Sequence, residues 1–177
     1  MNATSIDFTQ VLMAQMSDDF EIKRNDYIVN EGQTDLRIFY VQSGTVRIFV
    51  RTEEGEQNIR FGYAGNFIVS LDSFLKDTPT VYIIQAIKTS RIRTLSKYEF
   101  LELIQRHEAQ NWWLSLLENL IIQQLEREID ILTTYPAERY ERVLKRSPQL
   151  FQEIPHKHIA NYLRMTPETL SRLQKKS

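Results

Sequence analysis

Ile159-Ala-Asn-Tyr-Leu-Arg-Met-Thr-Pro-Glu-Thr-Leu-Ser-Arg-Leu-Gln-Lys-Lys176 reads as two short helices joined by a tight turn. Ile159, Ala160 and Leu163 lay an apolar stripe along the first helix, and Ala160 is small enough to let a neighbouring helix come close. Arg164-Met165 makes the turn. Thr166 suits the N-cap of the second helix, and Pro167 its first position, where the missing N–H costs nothing. Leu170 and Leu173 point inward, while Glu168, Arg172 and Lys175 fall on another face at helical spacing. An exposed face of Thr, Glu, Ser, Arg and Lys suits a DNA major groove, in which Arg reads guanine and Glu reads cytosine. The same pattern also fits a basic amphipathic helix pair that only packs on its own domain. The rest of the chain decides between them.

The 177 residues are enough for one domain or two small ones, each with a real core. Hydrophobic content of 42% and charged content of 25% are ordinary globular values. The net charge of −1 is unevenly spread: residues 136–177 hold nine Lys/Arg against four Asp/Glu, and residues 1–135 hold thirteen against nineteen. A basic C-terminal segment on an acidic body is the asymmetry of a nucleic-acid-binding end. The absence of cysteine removes disulfides, thiolate catalysis, cysteine-held iron–sulfur clusters and zinc fingers. No apolar run approaches the roughly 20 residues that cross a bilayer, and the N-terminus lacks a signal-peptide core. The protein is expected in the cytoplasm, away from membranes.

Along the chain, residues 6–20 (Ile6, Phe8, Val11, Leu12, Met16) form a weakly periodic amphipathic helix. From Phe20 to Leu95 short β-branched and aromatic runs alternate with turn signals, as a barrel or sandwich requires. Val46, Ile48 and Val50 alternate with Arg47, Phe49 and Arg51, the pattern of a half-buried strand. Glu53-Glu-Gly-Glu56 is a hairpin turn. After Ser96 the period becomes helical, with Tyr98, Leu101 and Ile104 on one short helix. A longer helix runs from about Ala109 to Leu132, where Leu114, Leu117, Ile121, Leu125, Ile129 and Leu132 step by three or four. That stripe is wide enough to pack partly on the barrel and partly on a second copy of itself. Pro136 ends it, because proline disfavours helical geometry in the residue before it. Ala137 to Lys145, Pro148 to Phe151 and the closing pair make a small helical domain.

This order resembles the Crp/Fnr superfamily of bacterial transcription regulators. The likeness is carried by Glu31-Gly32, Phe39-Tyr-Val41, Ser43-Gly44-Thr-Val46 and Ile159-Ala160…Leu163…Thr166-Pro-Glu-Thr-Leu-Ser-Arg172, and it covers almost the whole chain. The short form with Thr-Pro-Glu-Thr-Leu-Ser-Arg is similar to members of Bacteroidetes-type bacteria. The resemblance implies an α+β fold with an eight-stranded, jelly-roll-like double-stranded β-roll sensor over 1–108, a dimerisation helix and hinge over 109–134, and an all-α helix-turn-helix domain over 135–177. It implies a homodimer through the 109–132 helix, double-stranded DNA and RNA polymerase as partners, and no catalytic residues. Glu168 and Arg172 match the family's base-contacting pair. Thr166, Thr169 and Ser171 are candidates for phosphate or base contacts, and Lys175 and Lys176 for phosphate contacts that the family's β-hairpin wing usually makes.

Three departures qualify that picture. The family's cyclic-nucleotide members carry a Gly-Glu pair that holds the ribose and an Arg-Ser-Ala whose guanidinium pairs the phosphate. Here Val69 and Ser70 fall at the first, and Thr80, Val81 and Tyr82 at the second, with no arginine from Gly62 to Ser90. Burying a cyclic phosphate without its arginine costs on the order of several kcal/mol, so cyclic AMP and any other cofactor are not expected. The degenerate positions Ser70, Thr80 and Val81 leave any effector unassigned. Arg164 occupies a turn position usually held by glycine, which disfavours an ordinary side chain by roughly 1 kcal/mol. The wing is expected to be absent.

Two other readings compete. Phe67, Phe74, Tyr82 and Ile84 are candidates to line a pocket for a neutral or apolar effector, or to collapse into a plugged core. A cupin-like metal enzyme needs two or three histidines on barrel strands. His107, His156 and His158 all lie outside the strands, so no metal site is expected.

Overall fold

The computed structural model describes residues 8–175. Ile6 and Lys176 therefore lie outside the described residues. After helix α1 (Phe8–Gln15) the chain forms eight strands: β1 (Phe20–Ile22), β2 (Tyr27–Val29), β3 (Arg37–Ser43), β4 (Thr45–Thr52), β5 (Gly55–Tyr63), β6 (Phe67–Ile68), β7 (Ile83–Ala86) and β8 (Ser90–Ser96). Helix α2 (Leu71–Lys76) lies between β6 and β7. The strands build two four-stranded antiparallel sheets, in the orders β1-β8-β3-β6 and β2-β7-β4-β5. This is the expected β-roll. Val29, Phe39, Val41, Val46, Ile48, Ile84 and Ile92 fill the space between its sheets. Gly44, with φ of 88°, turns β3 into β4. A Cβ there would collide with the Thr89 carbonyl and with Ser90, so only glycine fits.

Six helices follow among the described residues: α3 (Lys97–Arg106), α4 (Gln110–Leu132), α5 (Pro136–Arg146), α6 (Pro148–Glu153), α7 (His156–Tyr162) and α8 (Pro167–Gln174). A reciprocal capping box starts α3: the Ser96 hydroxyl accepts from the Glu99 N–H at 3.3 Å, and the Glu99 carboxylate accepts from the Ser96 N–H at 3.0 Å. That start buries Phe100, Leu103 and Ile104, and leaves Tyr98 and Leu101 outside. Tyr98, Leu101 and Ile104 all lie on this one short helix, as expected, with Ile104 alone of the three buried. The buried face of α3 joins Phe8, Leu12, Met16, Phe74 and the outer side of the first sheet in a second core, capped by Trp112 and Trp113. Phe100 and Trp113 meet edge to face at 5.1 Å between ring centres.

The third core joins the two halves of the chain. Phe61 and Ile87, on the outer side of the second sheet, pack with Tyr140, Val143, Leu150, Ile154, Ile159, Ala160, Leu163 and Leu170 of the C-terminal helices. A β-bulge makes this possible. Phe49 pairs with Asn58 but Ile48 pairs with Arg60, so Ile59 is the extra residue and the faces change places across it. Asn58 and Phe61 consequently look toward the C-terminal helices, and Arg60 shares the inner face with Ile48. Helix α4 spans both halves. Its two fully buried side chains are Arg127 and Asp130, while Leu114, Ile121, Ile122, Leu125, Ile129 and Leu132 are exposed.

Candidate nucleic-acid interface

Helices α7 and α8 form the helix-turn-helix. Thr166 caps α8, its hydroxyl accepting from the Thr169 N–H at 3.2 Å, and Pro167 takes the first helical position. Leu170 is fully buried beneath the helix. Arg164 stands in the left-handed region with φ of 53°, where the turn needs a positive φ whatever its residue. Its carbonyl accepts from Arg139 at 3.1 Å, and Arg139 also reaches the Thr133 carbonyl at 2.9 Å. One guanidinium thus ties the hinge before α5 to the turn before α8. The strain is held by that bond and by a hydrogen bond from the Arg164 side chain to the Gln57 amide oxygen.

Of the residues expected to meet DNA, Thr166, Glu168, Arg172 and Lys175 are exposed, and Thr169 and Ser171 are half-buried. Lys176 lies outside the described residues. Glu168, Ser171, Arg172 and Lys175 share one helical face. Thr169 sits apart from it, its hydroxyl accepting from Arg172 at 3.3 Å and facing the Thr166 hydroxyl at 3.2 Å. The Glu168 carboxyl is held below the ordinary carboxylate range by its own backbone N–H at the helix start. The Thr166 hydroxyl adds to this, and Arg172 and His156 act the same way more weakly. It is a carboxylate at neutral pH, able only to accept, as a cytosine amino group requires.

The pair is also seated on its own β-roll, through α7 and the turn. The Asn161 amide oxygen accepts from the Asn58 N–H at 2.8 Å, and its amide nitrogen donates to the Glu56 carbonyl at 2.7 Å. The Asn58 side chain donates to the His158 carbonyl at 3.2 Å. Beneath them Arg47, 7% exposed, donates to Gln85 at 2.8 Å, Asn58 at 3.3 Å and Glu56 at 2.6 Å, and covers the Phe49 ring at 3.9 Å. The reading of β4 as half-buried, with Arg47 and Phe49 outward, is corrected: both faces of its first half are buried, because α7 covers the outer one. The closing helices pack on their own chain, and they leave the face of Glu168, Arg172 and Lys175 open.

His158 supplies a test of that seating. Burial pushes its pKa down to about 4, helped by Arg47, Lys157 and Arg24 and opposed by Glu56. The unfolded chain then binds the proton more readily than the folded one between about pH 6.5 and 4. Stability is full above that window and falls as pH drops through it. Urea midpoints for the wild-type chain and for His158→Gln should diverge below pH 6.5, the wild type losing more. A difference that stays constant with pH would remove this role for His158.

At the degenerate cassette positions, Asp72 takes over the donors. Its carboxylate accepts from the Thr80 hydroxyl at 2.8 Å and from the Val81 N–H at 3.1 Å, and the Thr80 hydroxyl accepts in turn from the Tyr82 N–H at 3.0 Å. Ser70 and Thr80 are buried, the Ser70 hydroxyl having no hydrogen-bond partner, and Val81 is exposed. The four residues proposed for an apolar pocket do not share one space. Phe67 and Phe74 pack toward the α1–α3 core, and Tyr82 and Ile84 toward the roll interior. His107 caps α3 while His156 and His158 lie on α7, and among the described residues no three His, Asp or Glu side chains are grouped to hold a metal.

A β-roll, a long helix with an apolar outer face and a Thr-capped helix-turn-helix together define a two-part architecture. Residues 20–107 match the family of the cyclic nucleotide-binding domain. Among solved structures, a CooA variant from Carboxydothermus hydrogenoformans is similar with a TM-score of 0.74 and 15% identity, over 99% of this chain and 84% of that one. CLP of Xanthomonas campestris, a c-di-GMP responsive global regulator, follows at 0.69 and 14%, over 95% and 89%. The sensor domain of DNR from Pseudomonas aeruginosa is 25% identical with a TM-score of 0.54, over 71% and 81%. No curated protein matches. Residues 20–107 thus carry a cyclic nucleotide-binding-type domain, and the chain as a whole shares its fold with these solved structures. No helix among the described residues is long and apolar enough to cross a membrane.

Proposed function

We propose that the chain is a homodimeric, sequence-specific DNA-binding regulator of transcription, acting on RNA polymerase at its promoters, whose sensor roll no longer takes a cyclic nucleotide in the cassette. It divides into a sensor over 1–108, a dimerisation helix and hinge over 109–134 and a DNA-binding domain over 135–177. The observation that carries the reading is the open face of α8: Glu168 and Arg172 stand one turn apart on a helix whose other side is buried at Leu170. In a dimer two such helices read a pseudo-palindromic site, with half-sites about one duplex turn apart. Arg172 and Glu168 read bases, while Thr166, Thr169, Ser171, Lys175 and Lys176 contact phosphates or base edges. Loss of cyclic-nucleotide chemistry is supported by Asp72, which occupies the Thr80 and Val81 donors that a phosphate would need.

Selection of bound duplexes from a random pool, followed by fluorescence anisotropy on the winning site, tests this. Arg172→Ala should weaken binding by about 1–3 kcal/mol, or roughly five- to 150-fold, and relax the preference at one base position. A chain that selects no sequence, or an alanine variant that binds as tightly, would sink the proposal.

A further inference from the structure

We propose a binding site for a small organic anion in the cleft between the roll, α4 and the start of the C-terminal domain. The cleft holds about 740 Å3, within the size range of small-molecule sites. Strands β5 and β6, helix α4, the α5–α6 junction and Tyr162 of α7 wall it in. None of the degenerate cassette positions, Ser70, Thr80 and Val81, lines it.

The argument starts from charge. Arg127 is 5% exposed, lines the cleft, and keeps its Nη1 without a hydrogen-bond partner. Its other contacts are a hydrogen bond from Nη2 to the Tyr162 carbonyl and the face of the Tyr162 ring, 3.8 Å below the guanidinium. Arg60 enters the same cleft from β5, placed there by the bulge at Ile59. It is largely withdrawn from water, and among the described residues no carboxylate pairs with it. The nearby acids are already engaged: Glu126 and Asp130 both bind Arg142 and Arg146, the latter at the rim of the cleft. A buried guanidinium with an unbonded Nη1 and a half-buried one without an ion pair are costly unless something anionic completes them.

The walls state what that anion carries. Phe67, Leu116 and Leu120 give an apolar surface, and Gln123 and Gln124 add amide donors and acceptors beside it. A phosphoryl or carboxylate group between Arg60 and Arg127, on an apolar or aromatic body against α4, satisfies both sets. On the helix, Leu116, Leu120, Gln123 and Arg127 recur at three- and four-residue spacing on the side opposite Ile122, Leu125, Ile129 and Leu132. The cleft therefore stays open when the outer face is covered. The site is a property of this cleft and stands whether or not the chain binds DNA.

Isothermal titration of the full chain with phenyl phosphate, benzoate and phenol tests the site. At least one of the two anions should bind at millimolar concentration or below, and which one binds separates phosphoryl from carboxylate recognition. Phenol, which lacks the charge, should give no heat. Arg60→Met and Arg127→Met should each weaken that binding about ten-fold or more, as expected for one charge-assisted contact. Arg127→Met should also raise the melting temperature of the free protein, because it removes a buried guanidinium that makes no ion pair and leaves Nη1 unbonded. The Arg60 variant keeps the test valid if the Arg127 variant fails to fold. Silence with both anions at millimolar concentration, or equal binding by wild type and the Arg60 variant, would overturn the site.

Discussion

Replacing Ile122 and Leu125 together by glutamate is expected to leave each protomer folded and to separate the dimer into monomers. Ile122, Leu125, Ile129 and Leu132 are 58%, 54%, 47% and 74% exposed, so none holds its own protomer together. They repeat at intervals of three, four and three, the seam of a two-stranded coil, with isoleucine and leucine in alternation as parallel dimers favour. Covering one such side chain stabilises by about 1.5–3 kcal/mol. Two glutamates per protomer place four charges in the symmetric seam, and the dissociation constant should rise at least about a thousand-fold. Sedimentation velocity at micromolar concentration reads this directly, with far-UV circular dichroism confirming unchanged helix content. A wild-type chain that sediments as a monomer, or a variant that still sediments as a dimer, would show that the seam is not an interface.

The largest effect on folding is expected at Asp130. Its side chain is fully buried, and it accepts from Arg142 at 3.3 Å and from Arg146, which also meet Glu126 at the surface. Arg127 and Arg139 stand close enough to feel its charge. Asp130 is thus the buried anion in a cluster of four guanidinium groups joining α4 to α5. Asp130→Ala leaves those cations without it, and should cost about 3–5 kcal/mol, the range for breaking a buried pair on one side. Asp130→Asn keeps the volume and a hydrogen-bond acceptor, and should cost less. Urea denaturation with the loss of near-UV signal measures both. A cost under about 1 kcal/mol for the alanine variant would mean that the apolar contacts of Tyr140 and Val143 hold the junction alone.

Local signals explain what the sequence made legible. The cap at Thr166, the proline at 167 and the odd arginine at 164 act within one turn of backbone, and each is found where its neighbours in sequence require. The alternation of Val46, Ile48 and Val50 revealed the inner face of the roll for the same reason. It said nothing of the outer face, because what buries Arg47 and Phe49 lies about a hundred residues further along the chain, as the Asn58–Asn161 and Asn58–His158 bonds show. The start of helix α3 after Ser96 was legible too, and the capping box of Ser96 and Glu99 is what sets it. The bulge at Ile59 was hidden: Asn58, Ile59 and Arg60 continue an alternating pattern that conceals the change of face. The exposure of Glu168, Arg172 and Lys175 was legible, since it follows from the face of a single helix. The cluster around Asp130 was not, because it forms between two helices, Arg127 and Asp130 on α4 and the other three arginines on α5, and no local pattern states how those helices pack.

The Asp72 carboxylate also changes what the roll answers to. A sensor that folds around a bound phosphate gains stability with the logarithm of ligand concentration, so its melting point tracks the metabolite pool. Asp72 is tethered eight and nine residues from Thr80 and Val81 in the same chain, and its effective concentration is set by loop geometry alone. The donors are saturated as soon as the roll forms, in a starved cell as in a fed one. On the proposed reading these two donors no longer answer to supply, which leaves the cleft against α4 as the place where a ligand acts.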